Sequence, residues 1–293
     1  MVAVVAVFGP TASGKTAVAE AVADRLGTEI VSCDALQVYR GLPILTNQPS
    51  RPTRLVGIRE AREEMSVGAY ATLAHEAIDE LVDSYGAAVV CGGTGLYLRA
   101  ALADLAVPPP PADGVRERIR AEVEADPVAA HARLAGRDFR AATAVHANDT
   151  RRLVRALELA ECGHSLVPED DRLWSETTRH PTLIAGLDVP SAELERRIAA
   201  RTNAMFLAGV VAEVRAALTA GVSHTAAKAL GLEEIATLPE AEARERIIVR
   251  TRRYAAYQRK WMRRIPGLVL VDARLAPDQI ASRLLDRAGQ AGA

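Results

Sequence analysis

Gly9-Pro10-Thr11-Ala12-Ser13-Gly14-Lys15-Thr16 is the stretch whose reading decides the fold. It is a complete G-x-x-x-x-G-K-[ST] phosphate loop, entered from the apolar, β-branched run Val2–Phe8. It opens a helical pattern from Gly14 to Leu26, with Val18, Ala19, Val22, Ala23 and Leu26 on one side. The glycines let backbone N–H groups turn toward phosphate oxygens, and the helix N-terminus adds partial positive charge. Lys15 neutralises a terminal phosphate, and the Thr16 hydroxyl is placed to ligate Mg²⁺. Gly9, Thr11, Ala12, Ser13, Gly14, Lys15 and Thr16 are therefore the expected polyphosphate-binding residues. A chance Gly-rich turn would not explain why strand, motif and helix arrive together. The motif calls for a polyphosphate; it does not by itself call for a nucleotide.

Outward from the loop, Glu29–Cys33 reads as a second short strand, Arg54–Ile58 as an extended piece and Ala87–Cys91 as another buried strand. Ser66 is the expected N-cap of a helix running to about Ser84. Strand, helix, strand, helix, strand is the pattern of an α/β fold, a parallel sheet flanked by helices. Pro108-Pro109-Pro110-Pro111 breaks that pattern as a semi-rigid joint. Beyond it, Asp113–Leu134 and Asp149–Cys162 are charged and helix-patterned, so residues 112–170 read as a mostly helical insertion. Residues 1–111 and 171–293 then form the core. Within it Thr182–Leu187 and Val269–Val271 are strands, and helices are predicted near 190–208, 209–220, 225–237 and 240–264.

At 293 residues with 49% hydrophobic and 25% charged content, the chain has the composition of a globular protein with a sizeable core. No apolar run approaches the ~18 residues of a membrane span, and the N-terminus lacks the basic region of a signal peptide. Cys33, Cys91 and Cys162 are scattered without metal-ligand spacing, which favours a reduced, cytoplasmic setting and a structural role for all three. Net charge is −1, yet Arg244–Arg264 carries nine basic residues and one acidic, a local +8. That asymmetry points to an anionic partner.

Two further segments belong to the same sheet edge as the loop. In Ser32-Cys33-Asp34-Ala35-Leu36-Gln37-Val38-Tyr39-Arg40, Asp34 falls just past a strand, facing the ligand crevice. Three roles are open to it: organising water around Mg²⁺, acting as a general base, or merely capping a turn. Gln37 adds an amide able to bond a base edge. Gly92-Gly93-Thr94-Gly95-Leu96-Tyr97-Leu98 follows the next strand and puts Thr94 on that edge as well. In the long C-terminal helix, Arg246, Arg250, Arg253, Tyr257, Lys260 and Arg264 fall within a stripe about 80° wide along ~27 Å, a match to a phosphate backbone. Ile248, Ala255 and Met262 lie opposite. The competing reading is a solvated charged face, but counter-charges within the helix are nearly absent. A smaller cluster, Arg151, Arg152 and Arg155, opens the Asp149–Cys162 helix.

Taken in order, Gly9–Thr16, Val31–Gly41, Gly92–Leu98, His146–Glu158 and Arg250–Arg264 resemble the tRNA dimethylallyltransferase family over nearly the whole chain. The resemblance implies a P-loop NTPase-like core whose loop holds the diphosphate of dimethylallyl diphosphate, with Mg²⁺ as cofactor. The dimethylallyl group would pass to the N6 amine of the adenine beside the anticodon of tRNA. Asp34 would be the base that takes the amine proton, with Thr94 and Arg201 as its catalytic companions. Asp34, Ala35, Leu36, Gln37, Thr94, Arg116, Arg151, Arg152, Leu153, Val154 and Arg155 would meet tRNA, and the insertion would grip it. Arg246, Arg250, Arg253, Tyr257 and Lys260 join them from the basic stripe. A monomer in the cytoplasm, without membrane contact, is the expected form.

The chain departs from the family pattern at Leu45-Thr46-Asn47-Gln48-Pro49 and Thr53-Arg54-Leu55-Val56-Gly57-Ile58, and has Ala147 where Pro is usual. The first two bear on base or tRNA preference more than on reaction type. Three rivals stand beside prenyl transfer to tRNA: a small-molecule kinase, a prenyltransferase acting on free nucleotides, and an RNA-binding module with a vestigial loop. A kinase has no use for the basic helix, a mononucleotide has no backbone for it to follow, and intact Lys15, Thr16 and Asp34 speak against the last.

Overall fold

The computed structural model describes residues 2–105, 107–108, 111–112, 114–167 and 172–290. It divides into two compact units, Met1–Leu105 with Leu173–Ala293, and Ala106–Arg172. Of the proline joint, Pro109 and Pro110 lie outside the described residues, as does Asp113.

The larger unit opens with β1 (Val4–Phe8), α1 (Lys15–Leu26) and β2 (Ile30–Ser32). Next come α2 (Val67–Tyr85), β3 (Ala88–Gly92) and α3 (Gly95–Leu102). The Ser66 hydroxyl caps α2 by accepting from the Ala69 N–H at 3.1 Å, satisfying one orphan donor of its first turn. The predicted extended piece at 54–58 is only an isolated bridge, Val31 to Arg54, because Leu55 and Gly57 turn the chain with φ of 64° and 62°.

The smaller unit holds α4 (Val115–Ala125), α5 (Pro127–Arg137), α6 (Phe139–Ala144) and α7 (Thr150–Glu161). One helix was expected across 113–134; the structure breaks it at Asp126-Pro127. Pro127 lacks the N–H that a continuing helix needs, and Asp126 turns extended (φ −151°) to cap the new start from its side chain. Ile119, Leu134, Leu153 and Leu157 fill a separate core there.

Back in the larger unit follow β4 (Thr182–Asp188), α8 (Ser191–Leu207), α9 (Val210–Ala220), α10 (Leu232–Thr237) and α11 (Glu240–Met262). β5 (Val269–Asp272) and α12 (Pro277–Gln290) close the chain; α12 lies beyond the last element expected from the sequence. The helix expected across 225–237 is a short 3₁₀ turn followed by α10, divided at Gly231, whose φ of 102° is left-handed. Among the described residues, no single helix is long and apolar enough to cross a membrane.

All five strands are parallel, in the order β2-β3-β1-β4-β5. Both faces are covered, one core lying between the sheet and α2 and α3, the other between the sheet and α1, α8 and α12. β1 connects toward β2 on one side, whereas β3 connects toward β4 on the other. Strand order therefore reverses between β1 and β3, which is where an open α/β sheet leaves its ligand crevice. Phe8 pairs with Gly92, so the loop after β1 and the turn after β3 emerge side by side.

Candidate active site

The crevice is built from four elements of the larger unit. The phosphate loop supplies its floor. Ala12 and Gly14 adopt φ of 63° and 91°, which folds the loop back beneath the N-terminus of α1. Among the described residues, no acceptor is found for the N–H groups of Ala12, Gly14, Lys15 or Thr16. They are oriented donors at a helix N-terminus, the arrangement that holds phosphate. The Thr11 N–H is already committed, donating to Gln258 Oε1 at 2.8 Å, so its amide does not belong to the cradle. The Ser13 Oγ is buried without a partner among the described residues.

Lys15 is half-buried. Desolvation lowers its pKa, the neighbouring Cys91 and Asp34 oppose that, and Arg201 adds to it. Arg201 comes from α8. Burial lowers its pKa too, Asp34 pulls it back, and its Nε is buried with no acceptor among the described residues. Lys15, Arg201 and Asp34 thus share one electrostatic neighbourhood. Two cations with a single carboxylate, an orphaned guanidinium N–H and an orphaned hydroxyl fit a polyanion.

Asp34 stands at the end of β2, and its Oδ1 accepts from the Leu36 N–H at 3.0 Å. The turn-capping reading is therefore realised for one oxygen, and Oδ2 has no partner among the described residues. Thr94 caps the gap to β3: its Oγ1 accepts from the Ala35 N–H at 3.3 Å, and the Tyr254 hydroxyl of α11 sits against it. Gln37 departs from expectation. Its carboxamide accepts from the Ser32 hydroxyl at 2.9 Å and donates to the Asn47 carbonyl at 2.8 Å, so it braces the 46–47 loop and has no free edge for a base.

The basic stripe of α11 is more mixed than its sequence indicates. Arg246 pairs with Glu242 at 3.6 Å, and Arg250 pairs with Glu234 and, at 3.7 Å, with Glu233 of α10. Glu233 and Glu234 come from a neighbouring helix, and Glu242 comes from the first turn of α11 itself, just ahead of the Arg244–Arg264 stretch. Arg264 stacks on Trp174 with its guanidinium 3.9 Å from the ring centroid. Arg253 and Lys260 are exposed without an ion pair among the described residues, and Tyr257 is 54% exposed. In the smaller unit Arg151 and Arg152 are exposed, but Leu153 and Val154 are buried in its core and present no side chain to a partner. Arg116 and Arg155 both hold the buried Glu158, at 2.6 and 3.0 Å.

Sequence reasoning gave no role to Arg197, Tyr254, Gln258 or Trp261. Arg197, one helical turn before Arg201, reaches the Ser13 carbonyl at 3.5 Å. The i, i+4 spacing of the two arginines on α8 is the signal that would have found it. Gln258 is the polar residue on the otherwise mostly apolar face of α11 that also carries Ile247, Ala255 and Met262, where a buried amide needs two partners.

A family model described as "IPP transferase" matches residues 37–265. The chain belongs to the IPP transferase family. A second model, "Isopentenyl transferase", matches residues 2–60. A tRNA dimethylallyltransferase of Anaeromyxobacter dehalogenans is 39% identical over 97% of this chain and 99% of its own length. One from Thermobifida fusca is 39% identical over 91% and 88%. The crystal structure of a tRNA isopentenylpyrophosphate transferase from Bacillus halodurans superposes with a TM-score of 0.70 at 27% identity, covering 99% of this chain and 96% of that one. A eukaryotic dimethylallyltransferase solved acting on tRNA shares the fold, with a TM-score of 0.77 at 24% identity over 93% of this chain and 74% of that one. The P-loop NTPase-like core expected from the sequence is the fold this IPP transferase family member has.

Proposed function

We propose that this chain transfers a dimethylallyl group from dimethylallyl diphosphate to the N6 amine of the adenine adjacent to the anticodon of tRNA, releasing diphosphate. What carries the reading is the meeting of the phosphate loop, Lys15 and the unpartnered Arg201 Nε with a single carboxylate, Asp34, at the switch point of the sheet. Curated relatives matching nearly the full chain carry the name of this activity.

The chemistry follows from the charges. The allylic C–O bond breaks, the N6–C bond forms, and negative charge builds on the departing diphosphate. The N–H groups of Gly14, Lys15 and Thr16, with the side chains of Lys15 and Arg201, are fixed donors aimed at that charge. The amine proton passes to Asp34, whose Oδ1 is held by the Leu36 N–H while Oδ2 has no partner among the described residues. Oxygen donors alone, Thr16 and Asp34, suit Mg²⁺, and no group of three or more His, Cys, Asp or Glu gathers among the described residues. Thr16 would hold that ion together with the diphosphate, and it would supply charge neutralisation there. Arg253, Tyr257 and Lys260 offer a phosphate-backbone surface, and Arg151 and Arg152 offer another. The adenine must leave its stack to reach Thr94 and Asp34. We place this activity in the cytoplasm, in a monomer.

The test is mass spectrometry of nucleosides from unmodified tRNA incubated with the protein, Mg²⁺ and dimethylallyl diphosphate, with AMP and ATP as parallel acceptors. Prenylated adenosine from tRNA alone is the expected outcome. Prenylated mononucleotide, or ATP consumption without prenyl transfer, overturns it.

A further inference from the structure

One face of α11 reads the turn after β3 residue by residue. Tyr254 sits against Thr94, Gln258 Nε2 donates to the Gly93 carbonyl at 2.8 Å, and Trp261 packs on Gly95. Gln258 makes a second bond in the opposite sense, accepting the Thr11 N–H of the phosphate loop at 2.8 Å. Its side chain is 2% exposed, so neither partner has water as a substitute. Only one amide orientation satisfies both, oxygen to Thr11 and nitrogen to Gly93; the flipped form sets donor against donor. No other side chain in the described residues touches the loop and the turn at once by hydrogen bonds. The outer face of the same helix turns carries Arg253, Tyr257 and Lys260. Tyr254 and Tyr257 stack at 6.5 Å, and Tyr257 meets Trp261 edge-on at 6.5 Å, so the two faces are packed together.

We propose that Gln258 is a positioning residue of the transfer reaction, whose carboxamide fixes the mouth of the phosphate loop to the Gly93–Thr94 turn. The diphosphate cradle and Thr94 are thereby held as one wall. The identity of the reaction rests on the function proposed above; the clamp itself does not.

Two measurements test it. In the wild-type protein, amide hydrogen exchange is followed before and after inorganic diphosphate and Mg²⁺ are added. The Thr11 amide is expected to be protected beforehand and unchanged afterward, while the Gly14 and Lys15 amides slow only on binding. A Thr11 amide that exchanges freely and slows only with diphosphate is a phosphate ligand, and overturns the clamp. The second measurement is diphosphate affinity and turnover of Gln258→Glu as ratios to wild type at each pH, which cancels whatever titrates alike in both proteins. The ionised carboxylate accepts from Thr11 but has nothing to give Gly93, whereas the protonated acid does both. Near pH 8 the variant is expected to bind diphosphate about tenfold or more weakly and to lose kcat; the ratio recovers toward one near about pH 5.5, at constant tRNA affinity. A ratio flat with pH sinks the idea. Should wild type bind no diphosphate at all, the proposed reaction fails, and Thr11 protection still decides the clamp.

Discussion

Trp261 of α11 lies so close over Gly95, the first residue of α3, that a Cβ at Gly95 would overlap the indole ring. The indole is not free to yield, because Trp174 packs on it at 5.0 Å. Trp174 itself is held in place through the buried Arg99, which donates to the Leu173 carbonyl and the Ser175 carbonyl, both at 2.9 Å. Gly95→Ala is therefore expected to move α11 away from the turn carrying Thr94. Destabilisation of about 1–3 kcal/mol, read by thermal unfolding, should accompany a loss of turnover. Unchanged unfolding and turnover would mean the contact is not tight.

Asp34 has a structural bond and a proposed chemical role that one substitution separates. Asparagine keeps an oxygen to accept the Leu36 N–H and removes the basic carboxylate. Asp34→Asn should lose about 10²–10⁴-fold in kcat with little change in tRNA affinity. Near-normal turnover would remove the general-base assignment.

The basic stripe divides into exposed cations, proposed to meet tRNA, and cations held in ion pairs. Arg253→Ala with Lys260→Ala should weaken tRNA binding and flatten the plot of log affinity against log salt by about 0.7–0.9 per charge removed. Arg250→Ala should instead lower the unfolding temperature, since it strips the partner from Glu234, which is 5% exposed. Equal salt slopes in both variants would erase the distinction.

Arg116 is expected to act through stability. Burial alone raises the Glu158 pKa, but the hydrogen bonds and charges of Arg116 and Arg155 outweigh it and hold the carboxyl below its usual value. A depressed folded pKa contributes stability above the unfolded value of about 4.3, and that stability is lost as pH falls through the folded value. Arg116→Ala should therefore melt lower than wild type at about pH 7, and the gap should close toward about pH 3. A variant that melts like wild type at neutral pH yet binds tRNA weakly would make Arg116 a direct contact.

Much of the site was legible because its signals are local. A phosphate loop is eight consecutive residues, a strand is a short apolar run, and Asp34 and Thr94 each follow a strand directly. Those features announce themselves within one turn or one pleat of the chain. The resemblance then added Arg201, which nothing local marks.

What the chain order alone determined was the parallel α/β core, the loop and helix N-terminus after β1, and the family to which they belong. The tertiary structure alone decided which polar groups are still free once the chain has folded. Glu233 and Glu234 claim Arg250, Glu158 claims Arg116, the 46–47 carbonyls claim Gln37, and Gln258 claims Thr11. Arg250, Arg116 and Thr11 are claimed from other elements and Gln37 from across its own folded loop, and in each case a donor or acceptor must find its partner wherever packing brings one within about 3 Å. Sequence spacing carries no record of those meetings, because they are made by the fold and not by the neighbours in the chain.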